Sequence, residues 1–167
     1  MCAILTGWAE EVMPNRNDQN FRKPQVKSKK LHIEYNYDFT LLGLATSARE
    51  YKLAWHINSA LGVRLVKQQE LSVEFLNDRE ITISHFLFKT EYSTFRLLKN
   101  KSLAGAGKSG FLLAELAHFD YLIMINDDGG FFDPDGTLTA LKSIPVVEYL
   151  ASININKLKE KENLIFE

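Results

Sequence analysis

Hydrophobic and polar residues first follow a regular pattern at residues 31–38, where they alternate one by one. This two-residue period is typical of a β-strand with one buried face. A helix is predicted next over residues 48–61, because apolar residues recur there at helical spacing and Gly62 suits the left-handed position that often ends a helix. Ser47 and Glu50 have the spacing of a capping box, which predicts the start of that helix.

Three further segments alternate in the same way and are predicted to be strands, at residues 71–75, 81–88 and 95–97. The Asn-Asp-Arg sequence at residues 77–79 is a short connection, which favours an antiparallel hairpin between the first two strands. The third strand is expected to extend this hairpin into a meander. Residues 120–125 are apolar at nearly every position, which is typical of a central strand covered on both faces.

The C-terminal part of the pattern predicts a polar, glycine-containing loop at residues 127–136 and a short helix at residues 137–143. Pro145 prevents that helix from continuing. Residues 146–153 are predicted to form the last strand. Successive strands with few helices indicate an α+β fold rather than a repeating strand-helix-strand chain.

We therefore predict a single α+β domain over residues 31–167. Its mostly antiparallel sheet is expected to have about five to seven strands, with the two main helices packed on one face.

Composition agrees with one globular domain, since the chain has 167 residues, of which 46% are hydrophobic and 25% are charged. Twenty basic and 21 acidic side chains give a net charge of −1, so nucleic acid is an unlikely partner. Residues 1–30 are rich in polar and basic residues and are predicted to be a disordered leader. No secretory signal or membrane-spanning run is evident, which favours a cytoplasmic protein that does not engage a membrane.

Two segments resemble catalytic motifs but lack the required context. Residues 102–109 resemble a phosphate-binding loop, yet Ser102 stands where its first glycine belongs and no buried parallel strand precedes it. Residues 132–138 resemble the signature of haloacid dehalogenase-like phosphatases, but too little chain follows for the rest of that active site. An acidic residue that caps the next helix explains the second segment better.

Metal-ligand patterns are also absent from the sequence. The four aspartates in the predicted loop at residues 127–136 lack the regular spacing and the distal glutamate of a calcium-binding loop. The histidines are scattered without zinc-site spacing, and the single cysteine, Cys2, has no partner for a disulfide. We therefore expect no metal, no cofactor and no catalytic residue. The acidic and histidine side chains without a metal-ligand pattern are Asp127, Asp128, Asp133, Asp135, His32, His56, His85 and His118.

Three stretches together resemble the bacterial IPExxxVDY family. They are residues 31–62, with the sequences Tyr-Asp-Phe and Tyr-Lys-Leu-Ala-Trp, residues 113–121, and the closing segment 156–166. The middle stretch is similar to the motif that names the family, and Glu115, Asp120 and Tyr121 occupy its characteristic positions. The resemblance implies no particular chemistry for these three residues.

Function is therefore predicted mainly by exclusion. With no nucleophile, ligand cluster or complete phosphate loop, the chain is expected to be a non-catalytic protein-interaction or regulatory module, whose partner is another protein or a second copy. The alternative is a small-molecule binder or hydrolase, for a nucleotide or phosphate, that uses residues 105–120. Under either hypothesis Glu115, Asp120 and Tyr121 are the candidate structural or binding residues.

Overall fold

The computed structural model describes residues 35–75, 79–103 and 109–166. From Asn36 onward the chain forms one compact unit. The predicted leader at residues 1–30 lies outside the described residues.

Within those ranges the chain forms eight strands, two α-helices and three short 3-10 turns. The strands are β1 (Thr40–Ala45), β2 (Val66–Lys67), β3 (Leu71–Glu74), β4 (Glu80–Ile83), β5 (His85–Lys89), β6 (Ser93–Lys99), β7 (Tyr121–Asp127) and β8 (Tyr149–Ile153). The helices are α1 (Glu50–Leu61) and α2 (Pro134–Lys142), and the 3-10 turns are Ala114–Leu116, Ile155–Lys157 and Lys161–Leu164.

The main sheet has six strands in the order β2-β5-β6-β7-β1-β8, and every neighbouring pair in it is antiparallel. Strands β3 and β4 form a separate antiparallel pair. This architecture confirms the predicted single α+β domain with a mostly antiparallel sheet. No helix among the described residues is long and apolar enough to cross a membrane.

Alternate residues of the central strands face two different layers. On one face, the buried α1 residues Leu53 and Ile57 and the buried α2 residue Leu141 pack with Leu42 and Ile123 of the sheet. Both helices therefore lie on one face, as predicted. The opposite face is covered by the β3-β4 hairpin, residues 112–119 and the C-terminal turns, and its buried residues are Leu41, Ile81, Ile83, Leu98, Leu112, Leu113, Leu116, Phe119, Leu122, Ile155, Leu158 and Leu164.

The first strand prediction is wrong for the part that the structure describes. Residues 35–39 have no regular structure, and the first strand is β1, with the continuous apolar sequence Leu-Leu-Gly-Leu at its centre. Because β1 lies between β7 and β8 and is covered on both faces, it needs apolar residues at successive positions. Of these alternating residues, the ones that the structure describes, 35–38, are exposed or half-buried.

The predicted capping box is also wrong. The Ser47 N–H donates to Glu148 Oε1 at 2.9 Å, and Glu50 Oε1 accepts from Lys67 Nζ at 2.7 Å. Both residues therefore use their polar groups in contacts distant along the chain, and α1 begins at Glu50. The helix ends as predicted, since Gly62 follows it with a φ of 64°.

The predicted strand over residues 81–88 is divided at Ser84, because β4 belongs to the hairpin layer and β5 to the main sheet. The predicted hairpin between the first two strands and the meander from β5 to β6 are confirmed. The turn residues 76–78 of the hairpin lie outside the described residues.

The start of α2 confirms that an acidic residue caps this helix. The Asp133 carboxylate accepts a hydrogen bond from the Gly136 N–H at 2.6 Å, and Pro134 occupies the first helical position. The helix consequently begins three residues before the predicted position, and β8 starts only at Tyr149. The Asp-Pro-Asp-Gly sequence thus makes a helix start.

A close contact at Gly43 fixes how residues 112–119 lie on the sheet. A Cβ atom added at Gly43 would lie 2.5 Å from Cδ2 of Phe119, so only glycine leaves room for this ring. The ring of Phe119 also stacks on Tyr149, with centroids 5.9 Å apart. Gly43 therefore permits the edge of the sheet and the segment before β7 to pack together.

We expect Gly43→Ala to lower the free energy of unfolding by about 1–3 kcal/mol, because the added methyl group overlaps the Phe119 ring. Urea denaturation measures this loss. In a Phe119→Leu background the same substitution should cost less, since the smaller side chain can move away. An equal cost in both backgrounds would contradict the contact.

Candidate functional site

The segment that carries the three signature residues is held by the side chain of Asn100, which is fully buried directly after β6. Its Oδ1 accepts from the Leu113 N–H at 3.0 Å, and its Nδ2 donates to the carbonyls of Leu116 at 2.8 Å and Phe119 at 3.1 Å. A buried amide is stable only when such partners replace water. Asn100 therefore sets the path of the turn around it.

The backbone of Asn100 closes the same segment at both ends. Its N–H donates to the Asp120 carbonyl at 2.9 Å, and its carbonyl accepts from the Leu112 N–H at 2.7 Å. Sequence reasoning missed Asn100, because an asparagine between Lys99 and Lys101 ahead of a glycine-rich loop is typical of an exposed turn.

Glu115 fastens this segment to the C-terminal part of the chain. Its Oε1 accepts from the backbone N–H groups of Lys159 at 2.8 Å and Glu160 at 3.1 Å. In return, Glu160 Oε2 accepts from the Ala114 N–H at 3.0 Å. Glu115 thus binds the backbone of Glu160, Glu160 binds the backbone of the residue before Glu115, and the signature position of Glu115 has a structural contact.

Asp120 makes the corresponding contact with the turn between β1 and α1. Its Oδ2 accepts from the Thr46 N–H at 2.9 Å, and its own N–H donates to the Leu44 carbonyl at 3.0 Å. Its side chain is exposed, although the apolar run that follows is buried. Water can therefore replace part of this contact.

Tyr121 lies on the helix-covered face and is only 5% exposed. Burial, followed by the negative charges of Glu50 and Asp120, raises the pKa of Tyr121 to about 12, so its hydroxyl stays protonated at neutral pH. Among the described residues this hydroxyl has no hydrogen-bond partner. Tyr121 and Asp120 both border a cavity of about 530 Å³ at the start of α1.

The structure therefore brings Asp120 and Tyr121 to one cavity but places Glu115 in a different contact. His118 is exposed and packs against Phe119, with ring centroids 4.1 Å apart, and neither it nor Glu115 borders that cavity. Residues 104–108 of the alternative small-molecule region lie outside the described residues. Nothing in the described part of the region gathers an acid, a base and a nucleophile.

In the acidic loop before α2, the carboxylate of Asp127 binds groups of the protein itself. Asp127 accepts hydrogen bonds from the Ser93 hydroxyl and from the N–H groups of Phe131 and Phe132. The Ser93 contact is the main cause that lowers the pKa of Asp127 below its usual value, and the backbone donors add to it. Across the described ranges, no three His, Cys, Asp or Glu side chains are grouped to hold a metal ion.

A second candidate site is the outer edge of β3. The Phe75 N–H donates to the Arg79 carbonyl at 2.8 Å, which fixes the alternation of hydrogen bonds along the hairpin. By this alternation Ser72 and Glu74 direct their N–H and C=O groups away from β4. Thr82, which lies opposite Ser72, also directs its carbonyl out of the hairpin, where it accepts from the Leu103 N–H at 2.9 Å.

The edge of β3 borders a groove of about 940 Å³ whose opposite wall is the C-terminal segment. The groove combines apolar side chains with charged ones, and Arg79 covers the ring of Phe75 at 4.4 Å. Its lining residues are Leu71, Ser72, Val73, Glu74, Phe75, Arg79, Ala114, Lys159, Glu160, Glu162, Asn163, Ile165 and Phe166. The sequence pattern predicted the hairpin but did not indicate which of its two edges would lack a neighbouring strand.

Comparison with known proteins finds no matching family model and no curated relative of significant similarity. The resemblance of residues 31–62, 113–121 and 156–166 to the IPExxxVDY family therefore stays a prediction.

We expect Asp120→Ala to lower the free energy of unfolding by about 0.5–1.5 kcal/mol, because it removes the acceptor of the Thr46 N–H at a partly exposed position. Asp120→Asn keeps an acceptor oxygen and should remain closer to the wild type. Chemical denaturation of both variants measures the difference. Unchanged stability in Asp120→Ala, or equal losses in both variants, would contradict a structural role for the side chain.

Proposed function

We propose that this protein is a non-catalytic interaction module that binds an extended segment of a partner protein along the outer edge of β3. The observation that carries this proposal is the open edge itself, where the backbone groups of Ser72 and Glu74 have no partner among the described residues. An added strand would satisfy them, as in other β-augmentation interactions.

The groove beside this edge suits a strand with one apolar face. Leu71, Val73 and Phe75 are half-buried and belong to the layer that covers the sheet, and Ile165 borders the groove on the far side. A partner strand that pairs with β3 would direct every second side chain toward these residues. Apolar side chains at those positions would extend the existing core.

Charge favours basic residues at the intervening positions. Glu74 and Glu80 are exposed and lie directly opposite each other on the hairpin, an arrangement that repels. Glu74 and Glu162 border the groove, as do the cationic side chains of Arg79 and Lys159, whereas Glu80 lies outside its lining. Lysine or arginine side chains on the outer face of the bound segment would relieve this repulsion, so we assign a partner segment in which apolar residues alternate with basic ones.

The proposal includes membership of the IPExxxVDY family and a cytoplasmic location. Support for the family comes from the three similar stretches at residues 31–62, 113–121 and 156–166.

A capped octapeptide that alternates valine with lysine tests this binding by fluorescence anisotropy. We expect saturable binding that is about tenfold weaker in Ser72→Pro, because proline removes an outward N–H and blocks strand addition. The fold should be retained, since that N–H makes no bond to β4. Ser72→Thr is the matched control and should bind like the wild type.

A peptide that alternates valine with glutamate tests the role of charge. It should bind weakly to the wild type and better to the double variant Glu74→Lys, Glu80→Lys. Equal binding of the two peptides, or unchanged binding by Ser72→Pro, would overturn the proposal. Dimerisation that Ser72→Pro abolishes would identify a second copy as the occupant and would equally overturn the assignment of a partner segment.

A further inference from the structure

The strand β8 lies at one end of the main sheet, so it pairs with a neighbouring strand, β1, along only one of its two edges. The direction of the backbone groups follows from β1. The Leu44 carbonyl accepts from the Asp120 N–H at 3.0 Å, on the side of β7, whereas the Ala45 carbonyl accepts from the Glu148 N–H at 3.0 Å, on the side of β8. Since successive residues of an antiparallel strand bond to opposite sides, Gly43 directs its backbone groups toward β8, as Ala45 does.

Two residues of β8 therefore direct their backbone groups away from the sheet. Gly43 lies opposite Ala151 in the β1-β8 register, so the N–H and C=O groups of Ala151 are directed toward β1. Those of its neighbours, Leu150 and Ser152, are consequently directed outward. These four groups have no backbone partner among the described residues. The outer edge of β8 is thus open to another strand.

This edge also lacks the features that usually keep an edge strand from pairing with a copy of itself. Charged side chains and prolines protect many edge strands, but the sequence of β8, Tyr-Leu-Ala-Ser-Ile, contains neither. The strand β3 carries Glu74, and β2 consists of only two residues, one of which is Lys67. Self-pairing therefore brings no like charges together at β8, whereas it adds them at β3 and β2.

The spacing of the outward groups matches a two-fold axis. If the axis passes beside Ala151, Leu150 of one copy lies opposite Ser152 of the other, and the reverse pair forms at the same time. Each of these two pairs exchanges two backbone hydrogen bonds, so all the outward groups are satisfied. The two Ala151 residues then form a pair without hydrogen bonds, in which the Cα atoms are only about 4.5 Å apart. The small methyl side chain suits this narrow position.

Apolar side chains flank the same axis. Tyr149 is 59% exposed at this edge, and its ring stacks on Phe119 with centroids 5.9 Å apart. In the two-fold register, Tyr149 of one copy lies opposite Ile153 of the other. Aromatic and β-branched side chains are a favourable cross-strand pair, and two such pairs form in the dimer. Self-pairing therefore covers the exposed tyrosine.

From these observations we infer that β8 pairs antiparallel with β8 of a second copy of this chain, about a two-fold axis beside Ala151, so that the two main sheets become one continuous sheet. A two-fold contact of this kind is closed, because the same surface serves both copies. No residue of β8 borders the β3 groove, so this surface is separate from the proposed interaction edge.

Sedimentation equilibrium of the full chain should give twice the mass of one chain. Ser152 is exposed, and its two copies are diagonal neighbours across the axis, about 7–8 Å apart. We therefore expect Ser152→Lys and Ser152→Glu each to weaken the dimer about fivefold by like-charge repulsion. A mixture of the two variants should form mixed dimers in preference to either self-pair, as measured by native mass spectrometry. Ser59→Lys, at an exposed position of α1, is the matched control and should dimerise like the wild type.

A cysteine cross-link tests the register. In a Cys2→Ser background, Ala151→Cys should form a disulfide-linked dimer on mild oxidation, because Cα atoms about 4.5 Å apart lie within the range of disulfides. Ile153→Cys is the matched control, since position 153 is also half-buried. Its two copies lie four residues apart along the paired strands, about 14 Å, and should not cross-link.

Several outcomes would overturn this inference. A wild type that is monomeric at every concentration would leave the edge to another occupant. Equal effects of Ser59→Lys and Ser152→Lys would indicate unspecific repulsion, and equal cross-linking of Ala151→Cys and Ile153→Cys would exclude the two-fold register. A dimer that Ser72→Pro abolishes would place the contact at β3. We expect Ser72→Pro to dimerise normally, which separates this result from the fate of the β3 proposal.

Discussion

The arrangement of both candidate sites depends on the hydrogen bonds that the buried side chain of Asn100 makes. Asn100 lies at the end of β6, and the chain must return from there to start β7 beside it. Burying an amide without partners would cost several kcal/mol, whereas Asn100 has a backbone partner for both its oxygen and its nitrogen. Residues 113–119 supply these partners, and they can do so only by following one path around the amide.

That path positions the contacts that build the two sites. At one end of the segment, Glu115 faces the C-terminal turn and holds Lys159 and Glu160 as a wall of the β3 groove. At the other end, Asp120 reaches Thr46 and brings Tyr121 beneath the first turn of α1. The hydrogen bonds of one buried side chain thus connect the positions of the groove and the cavity.

Local patterns in the sequence predicted those elements whose structure is decided by neighbouring residues. Gly62 ends α1, and Asp133 caps α2, because a left-handed residue and a capping carboxylate act within one helical turn. Alternation identified the β3-β4 hairpin, whose strands have one covered face.

Where contacts between distant residues decide the structure, the sequence misled. Ser47 and Glu50 have capping-box spacing but bind Glu148 and Lys67 instead. The alternating segment before β1 was expected to be a strand, yet the covered position in the sheet is filled by a continuous apolar run. Asp120 and Tyr121 were singled out only by the resemblance to the IPExxxVDY family. The start of α1 beside them has no side-chain cap, and only the tertiary contacts reveal this.

Native-state hydrogen exchange of Asn100→Ala tests the central role of this side chain most directly. We expect the variant to lose about 3 kcal/mol of stability, and the amides of Leu113, Lys159 and Glu160 to lose protection well before those of the β5-β6 ladder. Loss at Lys159 and Glu160 is the informative part, because these amides bind Glu115 and do not contact Asn100 directly. If all three amides kept the protection of the β5-β6 ladder, Asn100 would not be the residue that holds the two sites in place.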